Sequence, residues 1–510
     1  MRLTRRAALR ALGSALIAGP FATRSWTSAA SIRTRQASSD VLRAALQPIQ
    51  QTDPAFMSAD SEIAFANAVY DYLVDVDADN RIQPRLAQDW MSSDDGRTWR
   101  FLLAEGVRFH DGTPLTPSDV VWTFNRLRDP EVGGATTDLY SNIEAVEATG
   151  EREVTFQLAE RNPFFLFDLT DNHAVVVPEG VTDLTAFNGT GPFRVEGQSI
   201  TDGVSLVAND GYALDPQPQL DGLEFQFFDD QAAAIAALRG GQTDLVWRVS
   251  NAQLESLQGR SGLNAMAIPT NGFDLVRLRA DREPGNSPKV VEAMKRATDR
   301  QEIFDFVQLG FGAIGRDSPI GPLFTDYYTE ETPIPARDPQ RARQLLREAG
   351  YPNGLSLELH VPNTGGRPDF AQVLQQQWAE AGIDVEIRLE PESVYYGEGN
   401  WLEVDLGITG WGSRPTPQFY VDVMLTCGAK WNEAKFCSEE LDRAAEVAGT
   451  TLDDAERAEA YATIQRICIQ EIPMAIPYFF AMTAAIDEGF ENFRLKAFAG
   501  RTDFRKVTTA

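Results

Sequence analysis

Residues 86–130 read LAQDWMSSDDGRTWRFLLAEGVRFHDGTPLTPSDVVWTFNRLRDP, and this stretch decides how the rest of the chain is read. Trp99, Phe101 and Leu103 alternate with Arg100, Leu102 and Ala104, the two-residue period of a mostly half-buried strand. Val107-Arg108-Phe109 follows as a second short strand and runs into an Asp111-Gly112 turn. A helix start comes next. Thr116 suits the N-cap and Pro117 the first helical position, while Asp119 can complete a capping box and meet the helix dipole. Val120, Val121, Phe124 and Leu127 then recur at helical spacing and give the helix one apolar face. His110-Asp111-Gly112 reads as a turn with a hydrogen-bonded histidine, since no partner nucleophile or metal ligand lies near it in the sequence.

Outward from this stretch, strand and helix signals alternate. Val41–Leu46 is a short strand candidate leading into QPIQQTDPAF; Ala64, Ala68 and Tyr72 space as a helix. Val154–Leu158 alternates as a strand, Val175-Val176-Val177-Pro178 reads as a buried one, and Leu220–Phe228 as another. A helix over 231–239 stops at Gly240-Gly241. Further helix starts are marked by Ser287-Pro288, by Asp299 with Glu302, and by Asp338-Pro339 with Gly350 past the end. Gln372–Ala381 and Ala455–Ile469 are helices, and Val385–Leu389 is a strand. With 510 residues the chain is too long for one ordinary core, so two or three domains are expected.

The 86–130 stretch resembles the signature of the peptide/nickel extracellular solute-binding proteins, family 5. It does so through Leu86-Ala87, Trp90, Asp95-Gly96, Phe109-His110-Asp111-Gly112, Asp119-Val120 and the closing Asp129-Pro130. Ala104-Glu105 departs from the basic residue followed by an acid found in relatives. Gly189-Thr190-Gly191-Pro192-Phe193 and Leu206–Tyr212 resemble further family lines, as do 287–303 and Tyr351-Pro352-Asn353-Gly354. Arg279 stands nearest to where relatives carry an Asn. The resemblance implies an α/β, two-lobed periplasmic-binding-protein fold with an extra peripheral subdomain and discontinuous lobes. It places lobe I at 31–58, 190–272 and 487–510, the peripheral subdomain at 59–189 and lobe II at 273–486. The chain would cross between lobes first near 268–280 and return near 484–488.

Acidic residues outnumber basic ones by 74 to 46. Residues 1–30 hold five Arg and no acid, which leaves 41 bases against the same 74 acids beyond them. Such a balance argues against nucleic-acid or anionic-membrane partners. Thr4-Arg5-Arg6-Ala7-Ala8-Leu9-Arg10 resembles a twin-arginine export motif, followed by a weakly apolar run to Ala22 and small residues up to Ala30. The run is too short for a stable membrane span, and no Cys near it invites a lipid anchor. A periplasmic, monomeric protein is expected. Cys427 and Cys437 are close enough to close a small loop, and peptide-binding relatives often carry a Cys pair in this region; Cys468 reads as a buried free thiol. His110, His173 and His360 show no metal-ligand spacing with these cysteines, so neither a metal nor a cofactor is expected.

By resemblance, specificity sits in the loop Gly410-Trp411-Gly412-Ser413-Arg414-Pro415-Thr416-Pro417. Peptide-binding relatives place an Asp three residues after the Trp, where it anchors the ligand's amine; this chain has Arg414 there. A guanidinium repels an ammonium and offers a carboxylate or phosphate a bidentate fork. A salt bridge to an acidic neighbour is the other reading. Trp411 lines the cleft or packs in a core; Gly412 and Ser413 accompany it. Trp247 and Arg248 stand where relatives place contacts from the first lobe, and Tyr140 matches a pocket Tyr of oligopeptide binders. Tyr395 and Tyr396 lie near another aromatic contact, with Arg279 and Arg316 as weaker candidates. The expected function is capture of a dipeptide or short oligopeptide for an ABC permease, without chemistry. The alternatives are another anionic solute (opine- or sugar-like), a nickel chelate, or hydrolysis of peptides or amides. G-x-S-x-G and H-E-x-x-H motifs are absent.

Overall fold

The strand at 98–103 and the helix at 117–127 form on one small sheet. In the computed structural model, which describes residues 40–197, 203–498 and 501–510, Thr98–Leu103 pairs antiparallel with Ala87–Ser92 and Glu153–Leu158. Ile143–Ala148 closes this four-stranded sheet. Trp99, Phe101 and Leu103 are buried, as the alternation predicts, and Phe101 meets Phe156 edge-on. Helix Pro117–Leu127 begins where expected, and Asp119 Oδ2 accepts from Thr116 N at 2.7 Å. Val120, Phe124 and Leu127 are buried on the sheet side. The strand expected at 107–109 shrinks to one bridge between Arg108 and Pro114, because turn bonds use its amides: Phe109 N donates to Thr113 O. Val175–Val177 is buried but likewise reduced to one bridge, with Tyr72.

His110 does sit in a hydrogen-bonded turn. Its Nε2 lies 3.0 Å from Gly191 O, and burial pushes its pKa down. The Gly189-Thr190-Gly191 line is fixed by a close approach. A Cβ on Gly191 would lie 2.4 Å from the carbonyl carbon of Val69, at the end of helix Asp60–Val69. A buried ionic cluster ties the small sheet's connection to the C-terminal segment. Asp75 receives Lys496 at 3.0 Å, with Arg501 and Arg85 beside it. Burial alone would raise the Asp75 pKa, but these three cations outweigh it and hold the carboxyl well below its usual range.

Apart from small hairpins, the remaining strands form one large mixed sheet that serves two lobes. In lobe I the order is Leu245–Trp247, Val41–Leu46, Gly222–Phe227, Gly203–Ala208, Phe193–Glu196, the first three parallel. In lobe II, Ile383–Glu390, Leu355–Pro362 and Leu406–Trp411 run parallel, with helices Pro288–Ala297, Pro339–Glu348 and Arg367–Glu380 burying their apolar faces nearby. The apolar clusters separate accordingly. One gathers residues of 42–245 with 482–507, and two others gather 273–479 with Phe164.

Two long antiparallel strands, Leu263–Leu278 and Met474–Asp487, join the lobes. Their register runs unbroken from Leu263↔Asp487 to Pro269↔Ala481, then resumes at Phe273↔Phe479. Thr270, Asn271 and Gly272 therefore face the single residue Phe480, and the ladder bulges at the crossing. Ala484 to Ile486 already pair with Leu245 to Trp247. The return crossing thus lies a few residues before the expected 484–488. The export segment expected at 1–30 lies outside the described residues.

Candidate functional site

The lobe I strands Val41–Leu46 and Leu245–Trp247 are parallel to each other and antiparallel to the return strand arriving from lobe II. Their C-terminal ends therefore point at the crossing, the end of an open α/β sheet where ligands sit. Two loops leave from there. Arg248 follows Trp247 with φ +50°, donates its amide to Thr483 O at 2.8 Å, and pairs its guanidinium with Asp60. The 47–59 loop is held from beneath by Glu62, which is buried and accepts four backbone amides: Gln50 (3.0 Å) and Gln51 (2.8 Å) on one oxygen, Ser58 (2.9 Å) and Ala59 (3.0 Å) on the other.

On the lobe II side, Leu406–Trp411 pairs antiparallel with Phe273–Leu278, which sets Trp411 opposite Phe273 and carries the next residues past the bulge. The loop is stitched to it. Asn271 N donates to Ser413 Oγ at 3.1 Å and Asn271 Nδ2 to Arg414 O at 3.3 Å. The Tyr420 hydroxyl lies 2.9 Å from Asn271 O and 2.7 Å from Gly412 O. Asn271 is fully buried, and its Oδ1 has no partner among the described residues. A Cβ on Gly272 would stand 3.1 Å from Trp411 O, so the bulge and the loop touch backbone to backbone.

Trp411 itself turns inward. It is 7% exposed, donates Nε1 to Glu433 Oε1 at 3.0 Å, and meets Trp401, Tyr420 and Trp431 edge-on. Glu433 also accepts from Thr409 Oγ1 at 2.7 Å and Arg277 Nε at 3.3 Å; burial raises its pKa, and Arg277 works against that. Of the two readings of Trp411, packing within lobe II describes its place. Tyr395 is fully buried too, its hydroxyl 3.2 Å from Thr409 Oγ1. Tyr396 is half-buried and accepts from Gly410 N at 3.3 Å.

Arg414 remains half-buried at the tip. Its guanidinium lies 4.5 Å from the Phe419 ring centre and bonds the Ser413 carbonyl at 3.2 Å. Among the described residues it forms no ion pair with a carboxylate, so the salt-bridge reading finds no partner there. The other arginine candidates are committed: Arg279 to Asp281 (2.6 Å) and Glu403 (2.8 Å), and Arg316 to the carbonyls of Glu330 and Thr332. Tyr140 belongs elsewhere. It is fully buried against Phe124 and donates to Asp168 O at 2.9 Å, a packing place in the peripheral core rather than the ligand contact expected of it. Trp247 is half-buried against Phe493 and Phe504.

Sequence reasoning missed Asn271, Glu433 and Arg367. Arg367 Nε pairs with buried Asp274 Oδ1 at 2.8 Å, and its Nη2 lies where a Cβ on Gly410 would come within 1.9 Å. Only a glycine lets that guanidinium cross the strand. Cys427 and Cys437 are joined, with Cα atoms 4.6 Å apart, and Cys468 is buried with its pKa pushed up to about 12 by burial. No cluster of three or more His, Cys, Asp or Glu among the described residues could hold a metal ion.

Two lobes on a shared sheet, joined by a pair of strands that bulge at the crossing, define a solute-binding protein of the periplasmic type. The chain belongs to the bacterial extracellular solute-binding proteins, family 5, whose middle-region model matches residues 81–432. It is 27% identical over 458 residues to the glutathione-binding protein GsiB of Escherichia coli K12, an alignment covering 86% of this chain and 88% of that protein. Its fold matches HbpA2 of Haemophilus parasuis with a TM-score of 0.83 at 21% identity, covering 92% of this chain and 99% of the other. It also matches a Pseudoalteromonas dipeptide-binding protein in complex with Met-Leu, with a TM-score of 0.70 at 22% identity, covering 92% and 100%.

Proposed function

We propose that this chain captures a short peptide or a similarly sized solute bearing a carboxylate, holds it between the lobes, and delivers it to the permease of an ABC importer. The observation that carries the reading is Arg414. It is a half-buried guanidinium, tied through its own carbonyl to the interlobe bulge, with no carboxylate ion pair among the described residues. A bidentate guanidinium–carboxylate contact would satisfy it. The similarity to a glutathione-binding protein supports an anionic peptide in particular, since glutathione is a tripeptide with two carboxylates.

Binding from both lobes favours the closed form by differential affinity, and closure pivots on Thr270–Gly272 and Phe480. Arg248 and Asp60 on lobe I, with Ser413, Gly412 and Tyr396 on lobe II, face the solute. The protein works as a monomer in the periplasm, exported by the twin-arginine route that residues 4–10 resemble. Mass spectrometry of the small molecule that copurifies with the chain tests the class directly: a carboxylate-bearing peptide is expected, and a neutral sugar or a nickel chelate would overturn the reading. In calorimetry with that solute, Arg414→Asp should weaken binding by about 10- to 100-fold, the worth of one charge-assisted contact.

A further inference from the structure

Two segments, 57–59 and 171–173, meet beside the lobe I end of the cleft. His173 Nδ1 lies 2.6 Å from Asp171 Oδ1, and its Nε2 lies 3.2 Å from Ser58 Oγ. A carboxylate at Nδ1 keeps the ring proton on that nitrogen, which leaves the Nε2 lone pair facing the hydroxyl. This is the order of a Ser–His–Asp relay. Asp171 Oδ1 also accepts the His173 amide at 2.9 Å, so one oxygen fixes both the ring and its backbone. His173 is 6% exposed, whereas Ser58 is exposed. Asn172 Nδ2 donates to Met57 O at 2.7 Å and also lies 3.3 Å from Nε2, beside the Ser58 hydroxyl at 3.2 Å. No sequence motif marks the group, because Ser58 and His173 are 115 residues apart.

We propose that Ser58 is a nucleophilic serine, with His173 as its general base and Asp171 as a positioning residue, able to take the acyl group of an activated ester or thioester. Ser58 Oγ bonds to the acyl carbon as its proton passes to His173 Nε2. The tetrahedral centre then collapses, the bond from carbon to the leaving group breaks, and the leaving group departs with that proton. Water reverses the sequence: it adds to the acyl carbon, gives a proton to Nε2, and Ser58 Oγ leaves with it as the acid is released. The amides of Ser58 and Ala59 are both given to Glu62 Oε2, at 2.9 and 3.0 Å, and so cannot meet an oxyanion. One such donor is worth about 10²–10³ in rate. The site is therefore a slow one, in which acylation outlasts the encounter and turnover is sparse.

Intact-mass measurement of the full chain treated with an alkyl fluorophosphonate tests this, since phosphonylation forms the O–P bond as P–F breaks and fluoride leaves. One adduct per chain is expected, mapped to Ser58 and absent from Ser58→Ala. His173→Ala should slow labelling at least about 100-fold, with added imidazole restoring part of the rate. Asp171→Asn should slow it and shift the pH profile of labelling, a change that lost packing alone would not produce. If His173→Ala does not fold, His173→Gln takes its place. Labelling no faster than that of the unfolded chain, an adduct that persists in Ser58→Ala, or a rate indifferent to His173 would each overturn the proposal, whatever the solute affinity.

Discussion

Single side chains set both the chemistry and the pH response. Asp168 illustrates the second. Burial pushes its pKa up to about 7, with Asp171 adding to the rise and the Asn162 amide, 2.7 Å from Oδ2, opposing it. A carboxyl raised in the fold stabilises it only while protonated. The contribution is full below about pH 4, the unfolded value, and is lost as pH climbs through 7. Asp168→Asn is neutral throughout, so it should melt several degrees above the parent at pH 8 and match it at pH 4 in thermal denaturation. An equal difference at both values would mean that Asp168 is ionised in the fold across the range. Arg414 was legible from its offset to Trp411, a spacing of local sequence. Asn271, Glu433 and Arg367 were not, because each acts on a residue far along the chain: Asn271 on Arg414, 143 positions away, and Arg367 on Asp274, 93 away.

At the scale of elements, capping chemistry and period were readable. Thr116-Pro117 with Asp119, and Asp338-Pro339 with Gly350, open or close helices as written. What misled were short apolar runs. Val107–Phe109 and Val175–Val177 have strand-like composition, but their backbone bonds are spent in turns and single bridges. Tyr140 misled similarly, since an aromatic shortly after a family-like turn reads alike whether it faces a ligand or a core. The bulge itself could not be seen, because nothing in Thr270-Asn271-Gly272 specifies that three residues oppose one. Its role is open to test. Asn271→Ala removes the Nδ2 donor to the Arg414 carbonyl while keeping the backbone amide that meets Ser413 and leaving the strands paired, so solute affinity should fall about 5-fold, the net worth of one hydrogen bond. Melting should change little; unchanged calorimetric affinity would uncouple loop from bulge. The Cys427–Cys437 bridge closes a loop over a separation of 10 residues. Replacing both with Ser should cost about 2–3 kcal/mol by the loop-closure relation, read as a lower denaturation midpoint.

For the molecule as a whole, a net charge of −28 sits poorly with an anionic solute unless a cation is reserved for it. Arginines of both lobes are neutralised by neighbours, as Arg248 is by Asp60, Arg367 by Asp274 and Arg279 by Asp281. Arg414 stands apart from them at the crossing, where the long strands leave one lobe for the other. The two-lobed plan followed from a family resemblance carried by 86–130, a peripheral stretch that packs far from the crossing in sequence; the cleft chemistry had to be read from the folded chain. Calorimetry with matched peptides, one with a free carboxylate and one amidated at that group, probes carboxylate anchoring most directly. Binding of the acid at least about 10-fold tighter than the amide, a preference erased in Arg414→Ala, is the predicted result. Equal affinity for acid and amide in the parent protein would contradict it.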